Sequence, residues 1–226
     1  MDLCQDNFKE IISHLAIKEL YYFSLTSSFY HDYINFNQMV IKNIHQRLQP
    51  IFENDYEEFS KIMITNNAFI AGSLILQCIL NEDWSSDKNT DIDIDIFNPV
   101  TSLHAQVFQD GETYTFTPLE DFLYKIGYDG SEDLQSYRFS RYGKHDVKTH
   151  PHIYRVRTYT KINKPKIQII SLSDYLNAYH FINEWTDFEF CKNLYIYDSK
   201  LIIKNINAIF NKTCPFNCNT LLNSKY

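Results

Sequence analysis

Positive charge is in short supply in this chain. Lys and Arg number 21 against 28 Asp and Glu, a net charge of −7 over 226 residues. That balance argues against a dedicated duplex-DNA binder, whose association is driven by neutralising phosphates with Lys and Arg, although a local basic patch is compatible with it. Long apolar runs are missing too. Nowhere do about 18 apolar residues follow one another, so no membrane span is expected. The opening Met1-Asp2-Leu3-Cys4 lacks a basic leader and a cleavage site, so no signal peptide is expected either. Glycine is scarce, and neither a P-loop nor a Gly-x-Ser-x-Gly elbow occurs. Five scattered cysteines (Cys4, Cys78, Cys191, Cys214, Cys218) are an odd number and fit reduced thiols better than a disulfide framework. Cys214-Pro-Phe-Asn-Cys218 has no second pair of matching spacing to complete a zinc site. Together these absences describe a cytoplasmic chain in a reducing compartment.

What is present is ordinary for a globular protein. Hydrophobic residues make up 44% and charged residues 22%, which rules out global disorder. The length suits one well-packed domain with a small appendage. Aromatics reach 16%, much of it Tyr, a residue that packs half-buried with its hydroxyl solvated; the excess reads as packing, not base stacking.

Along the chain, residues 1–52 read as a helical segment, 53–212 as the main α/β domain, and 213–226 as a polar tail. Three amphipathic runs predict three helices in the first segment: Phe8, Ile11, Ile12 and Leu15; then Leu20, Phe23 and Leu25; then Val40, Ile41, Ile44 and Leu48, ending at Pro50. Another helix is expected over Glu53 to Met63, closed by Asn66-Asn67. Ala68-Phe69-Ile70 reads as a short buried strand running into Gly72-Ser73. Leu74 to Leu80 is apolar almost all round, so a helix there must be buried against a sheet. Tyr114 to Thr117 is expected as a strand ended by Pro118, Asp121 to Ile126 as a helical turn, and Gly127 to Gly130 as a turn. Ile153–Tyr159 and Lys166–Ser171 alternate around Asn163-Lys164-Pro165 and predict a hairpin. Ser173 to Ile182 reads as helical, Asp187 to Ile196 as a strand, and Asp198-Ser199 as a turn into Leu201-Ile202-Ile203.

Chemistry concentrates in Thr90-Asp91-Ile92-Asp93-Ile94-Asp95-Ile96-Phe97. On a β-strand Asp91, Asp93 and Asp95 line one face at a pitch of roughly 6.5–7 Å while Ile92, Ile94 and Ile96 bury the other. Three anions so arranged repel one another, and a divalent cation removes the penalty. Upstream, Gly72 lets a phosphate approach closely and Ser73 adds a hydroxyl donor at a helix start, where backbone N–H groups favour anions.

Ala71-Gly72-Ser73 followed by Asp91-Ile92-Asp93-Ile94 resembles the polymerase-β-like nucleotidyltransferase superfamily: an apolar residue with Gly-Gly or Gly-Ser, then Asp-apolar-Asp-apolar, then a third carboxylate on a later strand. With 17 residues between Ser73 and Asp91, the spacing requires an insertion containing Trp84. The superfamily's preference for Ser or Thr before the first Asp favours the Asp91/Asp93 register; Asp93/Asp95 is the other. The segment from Asp187 to Lys192, with Asp198-Ser-Lys after it, also resembles uncharacterised nucleotidyltransferase-like proteins of large DNA viruses and some eukaryotes.

The resemblance implies a mixed sheet flanked by helices and transfer of a nucleotide from an NTP to an acceptor. It further implies two Mg²⁺ or Mn²⁺ ions about 3.5–4 Å apart on Asp91 and Asp93, with Asp187 as the third carboxylate and Glu189 as its alternate. Gly72 and Ser73 would hold phosphates. Cations for the leaving pyrophosphate are available in Arg138, Arg141, Lys144, Arg155 and Arg157.

Two other readings stand beside this one. An acidic strand also suits an exposed sheet edge, where carboxylates oppose edge-to-edge pairing with no metal bound. Lys18-Glu19-Leu20 through Phe29-Tyr30, with Ile12, Leu15 and Leu25, resembles the second half of an F-box, without its usual Leu-Pro opening. That resemblance implies a ubiquitin-ligase adaptor docking through residues 1–50, with the remaining domain catalytically inactive. A plain helical cap on the catalytic domain fits the same residues. His145, His150 and His152 with Asp146 lack regular ligand spacing and read as solvated loop residues.

Overall fold

Four helices open the chain where the apolar spacing predicts three: α1 (Leu3–Ser13), α2 (Ile17–Ser24), α3 (Ser28–Tyr33) and α4 (Phe36–Phe52). They belong to a computed structural model that describes residues 3–84, 94–99, 117–132, 153–172, 192–197 and 200–213. The additional helix, α3, buries no residue, so it has no apolar stripe to betray it. Ser27 starts it by accepting a hydrogen bond from the Tyr30 N–H at 3.2 Å. Its rings join a local aromatic cluster instead, Tyr30 lying 4.5 Å from Phe23 and 5.1 Å from Phe8.

α4 carries one stripe, Phe36, Val40, Ile44, Leu48 and Phe52, repeating every fourth residue and buried throughout. Pro50 lies inside this helix rather than ending it. In the last turn the proline removes a single backbone bond. Phe52 holds that turn in place by stacking on Phe59 at 3.8 Å, and Lys164 Nζ donates to the Pro50 carbonyl at 2.8 Å. A 3₁₀ turn (Glu53–Asp55) leads into α5 (Tyr56–Thr65), and Asn67, at φ 50°, makes the expected reversal.

Among the described residues seven strands form one sheet: β1 (Phe69–Ala71), β2 (Ile94–Pro99), β3 (Asp129–Glu132), β4 (Ile153–Thr160), β5 (Ile167–Leu172), β6 (Leu194–Ile196) and β7 (Lys200–Ile202), in the order β3-β4-β5-β2-β1-β6-β7. β2 and β5 are parallel and every other neighbouring pair is antiparallel. The β4–β5 hairpin turns through Asn163 at φ 60°, as its sequence predicts. α6 (Ser73–Leu80), α7 (Pro118–Lys125) and α8 (Ile206–Phe210) complete the described elements, giving a mixed α+β fold.

Pro118 opens α7, three residues before the helical turn expected at Asp121, since a proline at the first helical position loses no intrahelical bond. Thr117 N–H donates to Glu120 Oε2 at 2.7 Å while Thr117 Oγ1 accepts from the Glu120 N–H at 3.4 Å, closing a capping box. Residues 114–116 lie outside the described residues, as do the expected helix at 173–182, the turn at Asp198-Ser199 and the tail from 214 onward.

One face of the sheet carries the main core. Ile70, Ile96, Ile169 and Tyr195 pack there against α4, α5, α6, α7 and α8. Phe69, Ala71, Phe97, Val156, Ile170, Leu172 and Leu194 form a smaller cluster on the other face. The first helices share the main core through Ile17 and the α4 stripe, and α2 is fastened to α8: Lys18 Nζ donates to the Phe210 carbonyl at 3.0 Å, and Tyr22 Oη to Asn207 Oδ1 at 3.3 Å. Among the described residues no helix is long and apolar enough to cross a membrane.

Candidate functional site

β1, Gly72 and α6 form the strand–turn–helix expected around Gly72-Ser73. β1 is buried along its whole length, and α6 buries six consecutive residues from Leu74 to Ile79. Between them Gly72 adopts φ 84°, ψ −150°, a backbone region open essentially to glycine. Ser73 is the first helical residue. Both are half-exposed, so the first turn, where backbone N–H groups favour anions, stands at an accessible end of an otherwise buried helix.

β2 is the fourth strand of seven, paired on one side with β1 and on the other with β5. The part of the acidic segment over residues 94–99 is therefore the middle of the sheet, and the edge-strand reading fails for it. Asp95 stands in register with Ala71 on β1 and with Gln168 on β5. Because β1 and β2 are antiparallel, β2 begins at the end of the sheet where β1 hands over to Gly72 and Ser73. Ile96 is fully buried in the main core, whereas Phe97 stacks on Phe69 at 4.9 Å on the other face. Alternation gives the position of Asp95 to the face of Phe97.

Gly72, Ser73 and the backbone of Asp95 are thus brought to one end of the sheet. Asp91 and Asp93 lie outside the described residues, as do Asp187, Glu189, Arg138, Arg141, Lys144 and the histidines at 145, 150 and 152. Among the described residues no group of three His, Cys, Asp or Glu side chains is placed to hold a metal ion.

Arg157 is committed elsewhere. It is 7% exposed, with Nη1 3.6 Å from Glu120 Oε1 and 3.5 Å from Tyr159 Oη, and Tyr159 Oη donates to the same Glu120 oxygen at 3.0 Å. Burial works against the guanidinium charge, but the bonds to Tyr159 and the facing Glu120 hold its pKa above the ordinary value. Burial, reinforced by the Glu120 charge, pushes the Tyr159 phenol up as well. This ionic cluster ties α7 to β4 and removes Arg157 from the cations available to a phosphate.

Two polar residues missed in the sequence emerge from the strand pairing. Lys166 immediately precedes β5 at the end where β2 starts, and Gln168 is the partner of Asp95. Neither carries a motif; only the parallel pairing of β5 with β2 reveals them. The Cys78 thiol is pushed up to about 12 by burial and stays protonated, which removes it as a nucleophile. A cavity of about 300 Å³ among α2, α3 and the start of α4, bordered by Tyr21, Ser24, His31, Asp32, Ile34 and Phe36, has no lining from the sheet. Comparison with protein-family models, with curated proteins and with solved structures finds no match to this chain.

Proposed function

We propose that this chain is a metal-dependent nucleotidyltransferase of the polymerase-β-like type, moving a nucleotide from an NTP to an acceptor. The observation that carries the reading is the junction of Gly72 and Asp95. A glycine-only turn delivers the N-terminus of α6 to the sheet end where the central, aspartate-bearing strand begins. A carboxylate position with hydrogen-bonded strands on both sides does not guard an edge, and aspartates are the hard oxygen donors that Mg²⁺ and Mn²⁺ take.

Asp91 and Asp93, with Asp187 or Glu189, would hold the metal; in the other register Asp95 replaces Asp91. Bound there, Mg²⁺ supplies charge neutralisation on the triphosphate and eases deprotonation of the attacking hydroxyl. The chain's own residues do the remaining work. The Gly72 and Ser73 N–H groups and the Ser73 hydroxyl bind and orient phosphates, and Asp187 accepts the proton of the acceptor hydroxyl. Lys166, at the same sheet end, adds a cation for leaving pyrophosphate in place of Arg157.

The test is transfer of label from α-³²P-NTPs to the protein itself, to RNA or to lysate proteins. Mg²⁺-dependent labelling that is lost in Asp93→Asn is expected. Absence of both Mg²⁺-NTP binding and transfer in the wild type removes the enzyme reading.

A second reading, an inactive domain serving an F-box-like adaptor, is favoured by the apolar side chains that α1, the α2 end and α3 leave in solvent: Ile11 at 54%, Leu25 at 58% and Phe29 at 61% exposure. Direct binding of a purified ubiquitin-ligase adaptor, lost in Leu25→Glu/Phe29→Glu, would support it.

A further inference from the structure

We draw no further inference here: the strongest candidate, the cavity where α2, α3 and the start of α4 meet, has an apolar floor in Ile34 and Phe36 but a rim of exposed side chains, and nothing in the structure shows what would occupy it.

Discussion

Ala71, the last residue of β1, stands directly opposite Asp95 on β2. The next residue after Ala71 is Gly72, whose backbone conformation no other residue adopts readily, so the start of α6 is fixed against the central strand of the sheet. The helix N-terminus and the aspartate-bearing strand are coupled through this one ladder pair. A register slip of one residue would move position 95 to the face of Ile96, which belongs to the main core.

Gly72→Ala should lower stability by about 1–3 kcal/mol, the usual range for a side chain forced into a glycine region. Urea unfolding measures it. Gly127, at φ 84°, is a control away from the site, where among the described residues an added Cβ meets only Lys161 Cε at 4.0 Å. Gly127→Ala should lower stability by a similar amount, but only Gly72→Ala should also weaken Mg²⁺-NTP binding.

Glu120→Ala should destabilise by about 3–5 kcal/mol, the range for removing one partner of a buried ion pair. Glu120 is fully buried and serves the α7 cap, Tyr159 and Arg157 at once. Glu120→Gln keeps an acceptor for the cap, so chemical denaturation should show a smaller loss. Equal losses would mean that the retained acceptor contributes nothing and that the charge on Glu120 carries the whole effect.

Glu82 ties the loop after α6 to the residues after α8. Its carboxylate accepts from the Trp84 indole N–H at 3.0 Å and from Lys212 Nζ at 3.0 Å, and these bonds, Trp84 first, hold its pKa below the ordinary carboxylate value. A depressed carboxylate pKa contributes stability that is present above the unfolded value, about 4.3, and is lost as pH falls through the folded value. In Trp185→Phe, which leaves Trp84 as the remaining tryptophan, emission should be constant above pH about 5 and change on further acidification. Glu82→Gln should abolish that change; its persistence would place the titrating group elsewhere.

Local signals were legible in the sequence, and distant ones were not. Gly72-Ser73 between an apolar triplet and an apolar heptad announced β1, the turn and α6, because glycine and helix burial are properties of adjacent residues. The β4–β5 hairpin was readable from alternation around Asn163. α3 was invisible because it buries nothing, and the end of α4 at Pro50 and the start of α7 at Asp121 were misplaced because proline tolerance depends on its position within a helix. Arg157 looked free until the fold set it against Glu120, which lies on another element. Gln168 and Lys166 gained meaning only from the parallel pairing of β5 with β2, for which no short-range pattern exists.

Anomalous diffraction from crystals of the protein grown with Mn²⁺ and a non-hydrolysable NTP tests the central claim most directly. The account expects manganese held by two of Asp91, Asp93 and Asp95 together with Asp187 or Glu189, and phosphate oxygens on the Gly72 and Ser73 N–H groups. Manganese and nucleotide bound away from the start of α6, or neither bound at saturating concentration, would contradict it.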